Sequence, residues 1–217
     1  MVESIAKTAW ARSPFAAWES GQEPAQKPTR VANRAGQTGV QVSASTCASV
    51  VLISTWLSGA AALEGALGQA LGASAPAQPG HTLRTPMGLL LRTGPVEYLL
   101  VGDAPSAPDA SLAIEQLRSA IAPDVGSVTD LSHARCKISV AGDHSLRTLN
   151  KLFALDLRDA AFPVGEVRMT GTHHVPCTLH RLATDRFDLY VFTTYAQDQL
   201  QTVLDAALEF GYALSVG

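Results

Sequence analysis

Residues 177–192, CTLHRLATDRFDLYVF, carry the pattern that decides the fold. Two runs rich in leucine, aromatic and β-branched side chains flank a polar segment, which is typical of two strands joined by a turn. A similar stretch, LLLRTGPVEYLLVGD, occupies residues 89–103. An offset of about ninety residues aligns Arg92 with Arg181, Leu99 with Leu189 and Val101 with Val191. The sequence therefore predicts two copies of one strand-turn-strand unit.

Strands and helices surround both copies in the same order. Before the first copy, residues 49–55 predict a buried strand and residues 58–72 a helix that Ser58 caps and Gly72 ends. Before the second copy, residues 134–142 predict a strand and Asp143 caps a short helix. A helix follows each copy. This order predicts an α+β fold of two duplicated β-α-β-β-α modules, with helices packed on mixed or antiparallel sheets.

The predicted domain organisation has three parts. Residues 1–38 form an extended N-terminal arm rich in Pro, Gly and polar residues, residues 39–123 the first α+β module, and residues 124–217 the second. Within the arm, Phe15 and Trp18 of SPFAAW are candidates for contact with a partner protein. A tail that stays disordered is the alternative.

Composition and charge exclude several classes of function. A net charge of -3 provides no basic field for nucleic acid or anionic lipid. No apolar run is long enough to span a membrane. Only 16% of residues are charged, which indicates that part of the surface faces another protein. Three scattered cysteines, Cys47, Cys136 and Cys177, indicate reduced thiols and a cytoplasmic location.

Motifs for cofactor binding and catalysis are missing from the sequence. It contains no G-x-G-x-x-G after a strand, no P-loop, no H-E-x-x-H and no G-x-S-x-G. We therefore expect no catalytic, cofactor-binding or metal-binding residues in this chain.

The strongest local candidate for a metal site is HHVPCTLH, which contains His173, His174, Cys177 and His180. Alternation along a strand places His174 and His180 on one face, and His173 and Cys177 on the other. Zinc sites usually gather four ligands from two separated pairs. The pattern favours histidines that pack in a sheet or contact a partner, and His174 and His180 are the candidates for such contact. A small metal-binding module stays an alternative.

Asp130, Ser132 and His133 supply the residue types of a catalytic triad within four positions. Neighbours in sequence seldom reach triad geometry, and Asp and Ser often bond to nearby backbone amides. The segment therefore favours a turn.

Several matching residues, in order and spacing, resemble the γ subunit of heterotetrameric sarcosine oxidase. The match is densest from Thr129 to Gly211 and includes Asp130, Ser132, His133, Gly142, Leu149, Asp156, Leu157, Phe162, Pro163, Val164, Gly165, His174, Val175, Pro176 and Arg181. The resemblance implies a fold like that of aminomethyltransferase, the T-protein of glycine cleavage.

The resemblance also implies a function for the chain within a larger assembly. It implies a non-catalytic γ subunit that stabilises a complex with α, β and δ subunits, which oxidatively N-demethylates sarcosine or a related N-methyl amino acid. FAD, FMN, NAD, tetrahydrofolate and zinc are then expected in the partner subunits. A stand-alone, folate-dependent protein of the aminomethyltransferase type is the alternative.

Overall fold

The computed structural model describes residues 13–16, 29–102 and 110–217, which form two β-sheets and four helices. The first six strands are β1 (Arg30–Val31), β2 (Val40–Thr46), β3 (Ser49–Ser54), β4 (Thr82–Thr85), β5 (Gly88–Gly94) and β6 (Glu97–Gly102). The other six are β7 (Ser127–Asp130), β8 (Arg135–Ala141), β9 (Val167–Thr172), β10 (Val175–Ala183), β11 (Arg186–Phe192) and β12 (Tyr212–Val216). The helices are α1 (Ala60–Leu71), α2 (Ala110–Ala120), α3 (Ser145–Leu149) and α4 (Ala196–Ala207). None of the described helices combines the length and the apolar character needed to cross a membrane.

The larger sheet has seven strands in the order β1-β12-β2-β8-β11-β10-β9. Its β12–β2 pair is parallel and its other pairs are antiparallel, so the sheet is mixed. The smaller sheet has the order β4-β5-β6-β3-β7 and is antiparallel throughout. The prediction of an α+β fold with mixed and antiparallel sheets is confirmed.

The two sheets exchange strands across the predicted domain boundary. β2 lies in the larger sheet between β12 and β8, although it belongs to the segment 39–123. β7 lies at the edge of the smaller sheet beside β3, although it belongs to the segment 124–217. Each sheet therefore contains strands from both predicted modules, and the division at residue 123 stays a prediction, as does the β-α-β-β-α duplication.

Apolar side chains of the described residues form three buried clusters that define the layers. One cluster joins the larger sheet to α3 and α4, and a second joins the smaller sheet to α1 and α2. The third lies where the two sheets face each other, and includes Val50, Leu91 and Leu99 of the smaller sheet and Val167 and Tyr190 of the larger. Because side chains alternate along each strand, the buried strands use one face for helices and the other for the neighbouring sheet.

The helices begin differently from the prediction. Leu63, Leu67 and Leu71 form the buried face of α1, and Gly72 ends it with φ of 67°. However, a 3₁₀ turn at Leu57–Gly59 precedes α1, and its backbone supplies the first hydrogen bond instead of a Ser58 cap. The residue before α3 is His144, which makes no capping bond through its side chain, so the predicted Asp143 cap is also wrong.

Candidate functional site

The four residues of the His/Cys stretch lie in three different environments. His173 and His174 form the two-residue turn between β9 and β10, where both are exposed. Cys177 is 3% exposed in the core between the larger sheet and its helices. His180, 4% exposed, lies on the opposite face of β10. The predicted alternation is thus wrong for His173 and His174, because the chain reverses direction there and the two residues are not part of a strand.

This separation keeps the stretch from forming one metal site. Among residues 13–16, 29–102 and 110–217, no group of three or more His, Cys, Asp and Glu side chains could hold a metal ion. Zinc would need its ligands around one point at about 2 Å.

Two cysteine thiols are too deeply buried to act as nucleophiles. Burial raises the pKa of Cys136 and of Cys177 to about 12. Since the thiolate is the nucleophilic form, both side chains behave as small apolar groups near neutral pH.

Asp130, Ser132 and His133 form a turn between β7 and β8, as predicted. The Asp130 carboxylate accepts hydrogen bonds from the backbone N–H of Ser132 at 2.8 Å and from its hydroxyl at 2.6 Å. Partial burial acts to raise the pKa of Asp130, but these hydrogen bonds, together with the electrostatic effect of His133 and Arg118, hold the pKa below its usual value. His133 accepts a hydrogen bond from Thr193 through its backbone carbonyl. The side chains of Asp130 and Ser132 therefore stabilise the turn, and the three residues do not form a triad.

A row of polar residues that the sequence analysis missed crosses the larger sheet. The strand registers place Ser215, Ser43, Ser139, Asp188 and His180 side by side on five adjacent strands. The Ser139 hydroxyl donates to the Asp188 carboxylate at 2.5 Å, and both residues are buried. Apart from the His180–Asp188 pair of one hairpin, these pairs join residues that are distant in sequence, so only a correct alignment of strands would have revealed the row.

The order of groups in this row does not suit nucleophilic catalysis. In a triad the imidazole lies between the hydroxyl and the carboxylate, so that it can accept the hydroxyl proton. Here Asp188 lies between Ser139 and His180, and the hydroxyl proton points to a carboxylate. The row is therefore a polar layer within the sheet.

An open cleft of about 440 Å³ lies beside the exposed end of the row. Its lining includes Gln41, Ser43, Ser139, Arg186 and Ser215, and Arg186 is the charged residue among the described residues that line it. Hydroxyl, amide and guanidinium groups of this kind bind polar or anionic surfaces.

A second cleft, of about 500 Å³, lies between the end of β3 and the loop that precedes β7. The hydroxyl of Thr55 donates to the carbonyl of Val125 at 2.5 Å and joins the two sides of the cleft. Trp56 lines it and is 85% exposed, and the adjacent Leu57 is 76% exposed. Large apolar side chains with so little cover are typical of surfaces that contact another protein.

Arg92 and Arg181, which the sequence comparison aligned, are buried in equivalent positions of two hairpins. Each guanidinium donates to carbonyls two and three residues further along the chain and to carbonyls of an earlier loop, and each lies near an aromatic ring. For Arg92 these groups are the carbonyls of Gly94, Pro95, Pro76 and Ala77 and the ring of Tyr98. For Arg181 they are the carbonyls of Ala183, Thr184, Leu157 and Phe162 and the ring of Phe187. Both arginines therefore hold loops together.

The strand registers also refine the predicted alignment of these hairpins. Arg92 pairs with Tyr98, and Arg181 pairs with Phe187. The offset that relates both pairs places Leu100, not Leu99, at the position of Leu189. The predicted matches of Leu99 with Leu189 and of Val101 with Val191 are thus shifted by one residue.

The candidates for partner contact have different exposures. Phe15 is fully buried in the chain's own core, packed in the cluster of the larger sheet, and this corrects the expectation that its side chain faces a partner. His180 is also buried. Trp18 lies outside the described residues. His174 is exposed, and its contact with a partner stays a prediction.

Solved structures of other proteins share this fold. No protein-family model matches the sequence, and no curated protein matches it. A chain of the heterotetrameric sarcosine oxidase from Corynebacterium sp. U-96 superposes with a TM-score of 0.76 at 23% identity, covering 92% of this chain and 96% of that one. Aminomethyltransferase T of the glycine cleavage system from Bartonella henselae superposes with a TM-score of 0.62 at 13% identity, covering 94% of this chain. This chain spans 58% of that aminomethyltransferase. The predicted T-protein-like fold is therefore confirmed.

Proposed function

We propose that this chain is a non-catalytic, γ-type subunit of a sarcosine oxidase-type complex. The complex oxidatively N-demethylates sarcosine or a related N-methyl amino acid, and this chain stabilises the assembly. The observation that carries the proposal is the match to a chain of a heterotetrameric sarcosine oxidase, which extends over nearly the whole length of both chains. The match to aminomethyltransferase T covers only part of that protein, so it supports a stand-alone enzyme less well.

Exposed apolar side chains support the role of a subunit. Trp56 and Leu57 are adjacent in sequence and both are mostly exposed to solvent. Tryptophan is enriched among the residues that contribute most to protein interfaces. A partner that covers Trp56 would remove this apolar surface from water, which favours association.

Several side chains that could act in catalysis instead make structural hydrogen bonds or are buried and protonated, which supports a role without catalysis. Asp130 stabilises a turn, Asp188 accepts from Ser139, and the thiols of Cys136 and Cys177 are protonated because burial raises their pKa. We therefore propose that the α, β and δ partner subunits hold the FAD, FMN, NAD, tetrahydrofolate and zinc of the complex. We also propose that the complex is cytoplasmic.

Purification of the tagged full-length chain from its native cells tests this function. Native mass spectrometry should find it in a complex with larger subunits, and the complex should show a flavin absorption spectrum that sarcosine or another N-methyl amino acid bleaches. The Trp56→Ala variant should lower the yield of this complex, whereas Gln69→Ala, a change at an exposed position of α1, should leave it unchanged.

Two results would contradict the proposal. A chain that purifies as a monomer under conditions that preserve other complexes has no such partners. Tight binding of tetrahydrofolate by the isolated chain, measured by titration calorimetry, would instead favour the stand-alone aminomethyltransferase.

A further inference from the structure

The turn between β9 and β10 consists of two histidines in a left-handed backbone conformation. The φ angle is 48° at His173 and 67° at His174, and these two are the only non-glycine residues with positive φ in the described part of the chain. Two-residue hairpin turns with positive φ at both positions favour Asn-Gly or Gly-Gly, since a Cβ atom is unfavourable there. Local backbone geometry therefore gives no reason for two imidazoles at this turn.

The two imidazoles make no contact among the described residues that would offset the strain of the turn. Both imidazoles are exposed, and within residues 13–16, 29–102 and 110–217 neither makes a hydrogen bond or an ion pair. Thr172, directly before the turn, is 1% exposed, and its hydroxyl has no hydrogen-bond partner among those residues. Residues with strained backbone cluster at active sites, at ligand contacts and in switch regions.

The turn is well placed for contact with another protein. β9 is the outermost described strand of the larger sheet, so no further strand covers the hairpin on that side. The pairing of Cys177 with Val191 places the turn at the same end of the sheet as Phe192 and the 3₁₀ turn Thr193–Tyr195. Tyr195 is 48% exposed and adds an aromatic ring to that end of the molecule.

We propose that the tip of this hairpin binds a partner subunit, with the imidazoles of His173 and His174 donating hydrogen bonds to acceptor groups on it. This inference rests on the proposed function and names a surface through which the assembly forms. An imidazole donates through at least one ring nitrogen in either protonation state, so backbone carbonyls and carboxylates of the partner are the matching groups. A metal ion fits less well, because no third ligand lies near the two histidines in the described residues.

Two double variants distinguish the effect of the imidazoles on assembly from the effect of the backbone strain. His173→Asn/His174→Gly removes both imidazoles and relieves the strain, whereas His173→Ala/His174→Ala removes them and keeps it. Each variant is expressed beside a differently tagged wild-type chain in the native cells, and mass spectrometry measures the ratio of the two in the purified complex. Both variants should be depleted at least tenfold relative to wild type, and Gln69→Ala should enter at the wild-type ratio.

Thermal unfolding of the isolated chains provides the matching control. The Asn/Gly variant should unfold at a higher temperature than wild type because its turn is unstrained, so weaker assembly cannot come from poor folding. Equal incorporation of both variants would overturn the proposed contact while leaving the proposed function intact. Loss of assembly with Ala/Ala but not with Asn/Gly would overturn the role of the imidazoles and assign the contact to the shape of the turn. A wild-type chain that enters no complex would overturn the proposed function and this contact together.

Discussion

Arg181 shows how a single charged residue holds part of this fold. Its side chain is 1% exposed, and its guanidinium donates to four backbone carbonyls and to the Asp159 carboxylate at 2.5 Å. A buried cation is tolerated only when its donors are all satisfied, and arginine can satisfy several acceptors at once through its planar fork. The burial of Arg181 therefore depends on the loop around Leu157 and Phe162 keeping its conformation.

We expect Arg181→Lys to destabilise the protein. Lysine carries the charge but lacks the fork, so several buried carbonyls lose their donor, at a cost of about 2–4 kcal/mol. Urea unfolding followed by circular dichroism measures the free energy of unfolding. Arg158→Lys serves as the control, because Arg158 is 84% exposed and its side chain pairs, among the described residues, with Asp156 alone, so the substitution should leave the free energy of unfolding almost unchanged. Equal stabilities of the two variants would contradict the structural role of Arg181.

The buried thiols give a second prediction at the residue scale. With a pKa of about 12, Cys136 and Cys177 should resist iodoacetamide at pH 8 in the folded protein and react once urea unfolds it. The folded pKa lies above the ordinary value of 9.0, so unfolding releases protons above pH 9. Stability should consequently fall as the pH rises from 9 towards 12, and less steeply in Cys136→Ala. Rapid labelling of either thiol at pH 8 without unfolding, mapped by peptide mass spectrometry, would show that it is accessible.

Element boundaries show what sequence patterns can and cannot predict. The run of β-branched residues predicted β3, and the spacing of Leu63, Leu67 and Leu71 predicted the buried face of α1, because these signals depend on neighbours in sequence. The cap predictions at Ser58 and Asp143 were wrong because backbone groups, not side chains, begin those helices. The His-His turn was missed because the sequence lacks the Asn-Gly signal that normally marks such a turn.

The candidate sites needed information that a single sequence does not contain. The row from Ser215 to His180 depends on the register of one hairpin with three strands from distant parts of the chain. The exposure of Trp56 depends on how the loop before β7 packs. The arginine hairpins were found as a sequence match, but their burial could not be predicted, because arginine is usually exposed.

Gly211 lies in the connection between α4 and β12, where the backbone of a neighbouring loop approaches closely. Its φ is 72°, and a Cβ atom there would lie 2.3 Å from the carbonyl oxygen of Gln37 and 2.7 Å from the backbone nitrogen of Asn33. Gly211→Ala should therefore destabilise the protein by about 3 kcal/mol or more, since backbone atoms of the neighbouring loop would have to move. Gly36 is the matched control, because its φ is 78° but nothing lies within 4 Å of an added Cβ. Gly36→Ala should lose only about 1 kcal/mol in the same urea titration. A comparable loss in both variants would mean that the close approach at Gly211 contributes little.

At the scale of the whole molecule, the exchange of strands makes the two halves of the chain depend on each other. β2 hydrogen bonds to β12 on one side and to β8 on the other, so without β2 the larger sheet divides into two parts. The cluster between the sheets adds apolar contacts across the same boundary. Each sheet thus contains strands from both sides of residue 123.

We expect the segment 124–217, expressed alone, not to fold. It contains most strands of the larger sheet but lacks β2, and the exposed edges of β8 and β12 would be left without hydrogen-bond partners. Its amide proton spectrum should lack dispersion, whereas the full chain should give well-dispersed signals. Co-expression with the segment 1–123 should restore a folded, soluble pair, because that segment returns β2 to the larger sheet and takes β7 into its own. A cooperative unfolding transition of 124–217 by itself would show that the boundary at residue 123 separates two independent domains, and that the strand exchange is not required for folding.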